Sequence, residues 1–258
     1  MIKIAVIDLD NTLLRSDKTI SEYTVSVLRQ CQSNGIKIVY ATARSAQAAA
    51  RFVDFYTPDV FIGYGGALTK TPADNKIISR IDIPADVVSG IINDCLASPD
   101  IMTILAINEY VALTNRPKVL DDKNSSHYKY SDFTNIGNCN FLKITVQAAS
   151  LTPVKKIAAQ YPLCDLTWYY GEDLYKLANR DATKWNAIKT VAAHYNIGVD
   201  SIAAFGDDTI DLEMIEKCGV GVAVENAIDE VKAAADYICA SNDDDGVARW
   251  LNDTVIKS

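Results

Sequence analysis

Lys3-Ile4-Ala5-Val6-Ile7 is an almost unbroken apolar run, partly β-branched, that stops abruptly at Asp8. Such a run predicts a strand buried on both faces of a parallel sheet. Ser21 then stands as a helix cap ahead of Thr24, Val27, Leu28 and Cys31. Those four recur at the i, i+3, i+4, i+7 spacing of one buried helix face, and Asn34-Gly35 closes the helix. A second apolar strand, Ile36 to Ala41, stops at Thr42-Ala43-Arg44. A helix from Ser45 to Phe55 and a third strand, Val60-Phe61-Ile62-Gly63, follow. Alternation of this kind predicts a parallel sheet with helices on its faces.

The pattern changes after Gly65-Gly66. Two short strands are expected around the turn Pro72-Ala73-Asp74-Asn75, then a helix from Ala85 to Ala97. Strands follow from Ile101 to Ile107 and from Tyr110 to Thr114, across Asn108-Glu109. The polar stretch from Asn115 to Asn140 reads as loop with room for a short helix. Leu142 to Gln147 alternates cleanly, as a strand with one wet face does. A helix from Thr152 to Gln160 precedes a hairpin, Asp165 to Tyr170 and Leu174 to Leu177, turning at Gly171-Glu172-Asp173. Parallel-sheet rhythm then resumes with a helix bearing Trp185, Ile188, Ala192 and Tyr195 on one face, and a strand from Ile202 to Gly206. A helix, a strand from Val220 to Val224, a helix near Ala227 to Ala235, a short strand at Tyr237 to Cys239 and a final helix complete the pattern. The expected fold is α/β: a Rossmann-like parallel-sheet core with helices on both faces, from residues 1–80 and 181–258. Residues 81–180 form an inserted α+β domain.

Composition narrows the partners more than the fold. The 258 residues are 49% hydrophobic and 22% charged, ordinary for a soluble globular chain, and the net charge is −8. That balance disfavours a nucleic-acid backbone or an anionic membrane as partner, and an anionic substrate would need a local cation or metal. No run of about 18 apolar residues is present to span a bilayer. The apolar start breaks at Asp8 without a basic n-region or cleavage site, so a secretory leader is not expected. The six cysteines are scattered without close pairs. Buried reduced thiols and a cytoplasmic protein are therefore expected, rather than disulfides or a zinc site.

Chemistry is concentrated where strands end. Asp8 and Asp10 lie two residues apart where the first strand leaves the sheet, the place where open α/β folds bind ligands. Phosphate-monoester hydrolysis is among the slowest uncatalysed reactions, and a carboxylate nucleophile divides it into two displacements through an aspartyl phosphate. Asp8 suits that role, and Asp10 that of the acid that protonates the leaving group and then the base that deprotonates water. Mg2+ favours hard oxygens and accepts one or two carboxylates plus phosphate and water. Thr42, at the end of the second strand, is placed to hold a phosphate oxygen. Asp207 and Asp211 follow the strand ending at Gly206 as metal ligands or their supports. Lys184, at a helix start, is placed to neutralise phosphate and carboxylates, without which the acids would raise one another's pKa. Taken singly, each has an ordinary structural use: Thr42 as a turn former, Lys184 as a solvated lysine, Asp211 as a first-turn acid. Their joint placement at strand exits and helix starts favours a site.

Asp8-x-Asp10-x-Thr12, Thr42, Lys184 and Gly206-Asp207…Asp211 resemble the four motifs of haloacid-dehalogenase-like phosphatases. Val224-Glu225-Asn226-Ala227, Ala235-Asp236-Tyr237 and Ser241-Asn242…Asp245-Gly246-Val247 are similar to the C-terminal run of the Cof-type branch, whose large α/β cap is inserted between the second and third motifs. The resemblance implies Asp8 as nucleophile and metal ligand, and Asp10 as acid/base that ligates through its backbone carbonyl. It also implies Thr42 and Lys184 on the phosphate, Asp207 on Mg2+, and Asp211 ligating or orienting. Three positions depart from the family pattern: Ala43 for a glycine, Gly65 for an asparagine and Ile210 for an asparagine. The expected activity is Mg2+-dependent hydrolysis of small phosphorylated metabolites, sugar phosphates above all, by a monomer. Cap aromatics (Tyr110, Tyr128, Tyr130, Trp168, Tyr169, Tyr170) suit sugar rings and are equally ordinary strand residues. Lys143 and Glu172 are charged candidates there, whereas His127 and His194 show no partner pattern. The competing readings are a phosphomutase of the same superfamily, a phosphoacceptor module of the receiver type and a non-catalytic metabolite-binding protein. Receivers are about half this length and lack an inserted domain.

Overall fold

A computed structural model describes residues 1–116, 128–168 and 173–257, and its strands and helices alternate as the apolar pattern requires. The chain begins with β1 (Ile4–Ile7), α1 (Glu22–Ser33), β2 (Lys37–Ala41), α2 (Ala46–Phe55), β3 (Val60–Gly63), β4 (Leu68–Thr71) and β5 (Lys76–Arg80). It continues through α3 (Ala85–Ala97), β6 (Ile101–Ile107), β7 (Ala112–Thr114), β8 (Tyr128–Tyr130), β9 (Lys143–Ala148), α4 (Leu151–Ala158), β10 (Cys164–Trp168) and β11 (Leu174–Asn179). The last part holds α5 (Lys184–Tyr195), β12 (Ile202–Gly206), α6 (Leu212–Lys217), β13 (Val220–Val224), α7 (Asp229–Ala234), β14 (Tyr237–Cys239) and α8 (Gly246–Leu251). Two compact units result: Met1–Arg80 with the chain from Thr183 onward, and Ile81–Ala182.

The first unit is α/β. Its sheet runs β14-β13-β12-β1-β2-β3-β4-β5, parallel up to β3, with β4 and β5 added as an antiparallel hairpin. β1 lies between β12 and β2, and all four of its residues are buried, which is why it reads as continuous apolar sequence. Register places Ile7 beside both Phe205 and Tyr40, so β1, β12 and β2 end together and deliver Asp8, Asp207 and Thr42 to one edge. α1 forms as its spacing predicts: the Ser21 hydroxyl accepts the Thr24 N–H at 3.0 Å, and Thr24, Val27, Leu28 and Cys31 are its buried residues.

The second unit holds a six-stranded sheet, β10-β11-β9-β6-β7-β8, antiparallel except for the β7–β8 pair. Val88, Ile91 and Ile92 of α3 and Val154 and Ile157 of α4 share a core with Ile104, Ile144, Val146 and Leu177 of the sheet. β8 corrects the reading of 115–140 as loop with a short helix: three residues of that polar stretch pair with β7. Residues 117–127, with His127, lie outside the described residues, as do Tyr169, Tyr170, Gly171 and Glu172 of the expected hairpin turn. All six cysteines are free thiols, but Cys139 is exposed, unlike the other five, because it lies in an irregular polar stretch with no apolar face to bury. Among the described residues, no helix is long and apolar enough to cross a membrane.

Candidate active site

Asp8 is the first residue beyond β1 and keeps an extended backbone (φ −65°, ψ 155°). A wide turn, Leu9–Leu13, follows and is closed by the Leu13 N–H donating to the Asp8 carbonyl at 3.2 Å. Inside it Asn11 adopts a left-handed conformation (φ 57°), which asparagine tolerates better than most residues. Lys184 opens α5 behind its cap Thr183, whose hydroxyl accepts the Asn186 N–H at 3.1 Å. Gly66 (φ 112°) lies against the Thr183 backbone, where a Cβ would collide. The Gly66 turn also holds the end of β2: the Gly65 N–H donates to the Thr42 carbonyl at 2.9 Å and the Tyr64 N–H to the Arg44 carbonyl at 2.8 Å. Gly206 plays a similar spatial role beside the Asp211 side chain, which fills the space a Cβ would need.

These elements bring four of the expected residues together. The Lys184 ammonium donates to Asp8 Oδ1 at 2.5 Å and to Asp211 Oδ1 at 2.6 Å, with all three side chains buried. Asp211 Oδ2 accepts the N–H groups of Asp207 and Asp208 at 3.0 and 3.2 Å. Asp207 Oδ1 accepts the Thr12 hydroxyl at 2.7 Å. Carboxylate oxygens of Asp8, Asp207 and Asp211 lie within 4.8 Å of one another.

Burial pushes the Asp8 carboxyl well above the usual range; Lys184 pulls it down, and Asp211 and Asp207 push it up again. Burial, then Asp211, raises Asp207 to about 6, against the Thr12 hydrogen bond. Burial would lower the Lys184 pKa, but Asp211 and Asp8 more than offset this and keep the ammonium charged. Asp8 stays raised beside a charged lysine because burial outweighs the pull of Lys184, and Asp211 and Asp207 add to it. Crowded hard oxygens with uncompensated negative charge fit a divalent cation such as Mg2+.

Asp10 and Thr42 flank this cluster. Asp10 is held by Arg44, whose Nε and Nη2 donate to Oδ2 and Oδ1 at 2.6 Å each, and by Lys18 Nζ at 3.1 Å. Burial pushes the Asp10 carboxyl upward, but the Arg44 bonds and charge, joined by Lys18, bring it below its ordinary value. The two carboxylates expected to face one phosphate thus have different partners here, Asp8 with Lys184 and Asp10 with Arg44. Thr42 is buried, and its hydroxyl accepts the Arg44 N–H at 3.1 Å, which ties the threonine to the loop that carries the arginine.

Arg44, Lys18 and Thr12 were not assigned roles by sequence reasoning. Arg44 carried a signal, as a cation two residues past a candidate phosphate residue at a strand exit. Lys18 carried none, since its approach to Asp10 depends on how a loop folds back. Two of the departures from the family pattern sit where the side chain makes no hydrogen bond with the acidic cluster. Gly65 is left-handed (φ 73°), a shape glycine adopts without cost, and Ile210 is exposed.

A model of the haloacid dehalogenase-like hydrolase family matches residues 5–251. The chain belongs to that family. Among similar proteins of Bacillus subtilis, the 5-amino-6-(5-phospho-D-ribitylamino)uracil phosphatase YitU is 28% identical, covering 96% of this chain and 95% of YitU. Phosphatase YwpJ is 26% identical, over 96% of this chain and 98% of its own length. The fold is shared with phosphatase BT1666 of Bacteroides thetaiotaomicron (TM-score 0.84, 22% identity, 98% and 95% coverage). It is also shared with the sugar phosphatase BT4131 of subclass IIB (TM-score 0.82, 22% identity, 97% and 98% coverage). This member of the family is an enzyme, a hydrolase acting on phosphate esters, and its relatives YitU and YwpJ are named phosphatases.

Proposed function

We propose that this hydrolase is a Mg2+-dependent phosphatase of small phosphate monoesters, working through an aspartyl phosphate on Asp8. The observation that carries the reading is the buried Asp8–Lys184–Asp211 chain beside Asp207. A carboxylate oxygen of Asp8 attacks phosphorus as the bond to the leaving oxygen breaks, and that oxygen takes a proton from Asp10. Water then attacks phosphorus, Asp10 takes its proton, and the bond to Asp8 breaks. In this scheme Asp10 carries a proton only when the Arg44 and Lys18 contacts that hold its carboxyl below the ordinary value are released.

Lys184 and Thr42 hold phosphate oxygens in this scheme. Mg2+, held by Asp8, Asp207 and the Asp10 carbonyl with Asp211 ligating or orienting, would neutralise charge on those oxygens. Sugar phosphates are the substrate class we favour, on the likeness to BT4131 and on YitU's phosphoribityl substrate. Specificity is assigned to the inserted unit, Ile81–Ala182, as a cap domain. The six residues come from one chain, so a monomer can supply the whole site, and a small phosphorylated molecule is the partner this reading requires.

The test is phosphate release from a panel of sugar and nucleotide monophosphates, with and without Mg2+. Wild type should release phosphate only with the metal, and Asp8→Asn should release none. Wild-type rates in Asp8→Asn would refute the mechanism.

A further inference from the structure

The turn that carries Asp10 owes its shape to residues from the far end of the chain. Asn11 is left-handed, and such backbone in a non-glycine residue persists where its surroundings hold it. Asn226, in the turn after β13, donates from Nδ2 to the Asn11 carbonyl at 2.7 Å. The other end of the same amide, Oδ1, accepts the Asn242 N–H at 3.0 Å. Asn242 is buried and donates from its own Nδ2 to the Leu14 carbonyl at 2.9 Å. Two linked asparagines therefore grip the carbonyls of Asn11 and Leu14, within and just beyond the Leu9–Leu13 turn. Both polar ends of the Asn226 side chain are used in this grip, so it acts on the turn's backbone.

We propose that Asn226 is a positioning residue for Asp10: by fixing the Asn11 carbonyl it sets the direction from which the Asp10 carboxyl meets the leaving oxygen. The inference rests on the acid/base reading of Asp10. Proton donation depends on hydrogen-bond reach and is degraded by displacement of about 1 Å. A bond from an exposed side chain to a left-handed turn is the kind of contact whose loss shifts such a group without unfolding the protein.

Leaving-group dependence separates this role from a merely structural one. An aryl phosphate such as p-nitrophenyl phosphate departs without a proton, whereas an alkyl phosphate needs one. With Mg2+ present, kcat/KM for both esters is measured in wild type, Asn226→Ala and Asp10→Asn, with thermal melting to confirm folding. Asn226→Ala should lose about 10- to 100-fold on the alkyl ester and less than about threefold on the aryl ester. Asp10→Asn should show the same selectivity more strongly. Equal losses on both esters in Asn226→Ala, or none, overturn the proposal while leaving Asp10's role intact. Equal losses in Asp10→Asn overturn the acid/base reading itself. Asn226→Asp retains the acceptor for the Asn242 N–H and replaces the donor with a carboxylate oxygen that repels the Asn11 carbonyl; it must reproduce the selective loss if Asn226→Ala does not fold.

Discussion

A single buried ammonium offsets part of the negative charge in the most crowded part of the site. Lys184 lies between Asp8 and Asp211, and removing one partner of a buried charge group leaves the others unpaired in a poorly solvating interior. Lys184→Met should abolish turnover and cost about 3–5 kcal/mol in stability, read as a lower urea midpoint without Mg2+. An unchanged midpoint would mean that the carboxylates are neutral rather than paired. At this scale the sequence was informative where chemistry and position coincide. Asp8, Asp207, Asp211 and Lys184 each stand at a strand exit or helix start, and register brings those points together. The Arg44 and Lys18 partners of Asp10 were hidden because side chains meeting across loops leave no periodicity to read.

At the scale of elements, the loop between β1 and α1 is fastened from the distant C-terminal region. Asp245, itself left-handed (φ 58°), accepts bonds from Arg15 (3.3 and 2.7 Å) and from the Ser21 and Thr24 hydroxyls (2.8 and 3.1 Å). Burial raises its pKa, but the Arg15, Ser21 and Thr24 bonds together lower it below the ordinary value. A depressed folded-state pKa contributes stability above the unfolded-state pKa and loses it as pH falls through the folded value. Asp245→Asn keeps a residue that tolerates the left-handed backbone, and should cost about 1–2 kcal/mol near neutral pH. Denaturation at a series of pH values should show that gap closing below about pH 4; a constant gap would argue against an ionised clamp. The C-terminal run that marked the family resemblance thus has a physical task that its spacing did not disclose. Elements themselves were legible in proportion to their periodicity: the face of α1 was read residue by residue. β8 was missed because Tyr128-Lys129-Tyr130 is a strand only through its pairing with β7.

Taken as a whole, the molecule assembles one site from two stretches of chain interrupted by an inserted unit. Family membership and α/β architecture were legible because the motifs and strands recur in a fixed order. The order of strands in the second sheet was not, since a continuous antiparallel pattern allows several pairings. Asp8 and Thr12 come from the first stretch, Lys184, Asp207 and Asp211 from the second, and only the folded core brings them within bonding distance. In the proposed mechanism this assembly makes Asp8 a nucleophile. The most direct measurement of that role is rapid acid quench of the enzyme turning over a phosphate monoester with Mg2+, followed by mass-spectrometric mapping of phosphorylated peptides. Phosphate is expected on the peptide containing Asp8 in wild type and on none in Asp8→Asn. Phosphate on a different residue, or normal turnover by Asp8→Asn, would contradict that role.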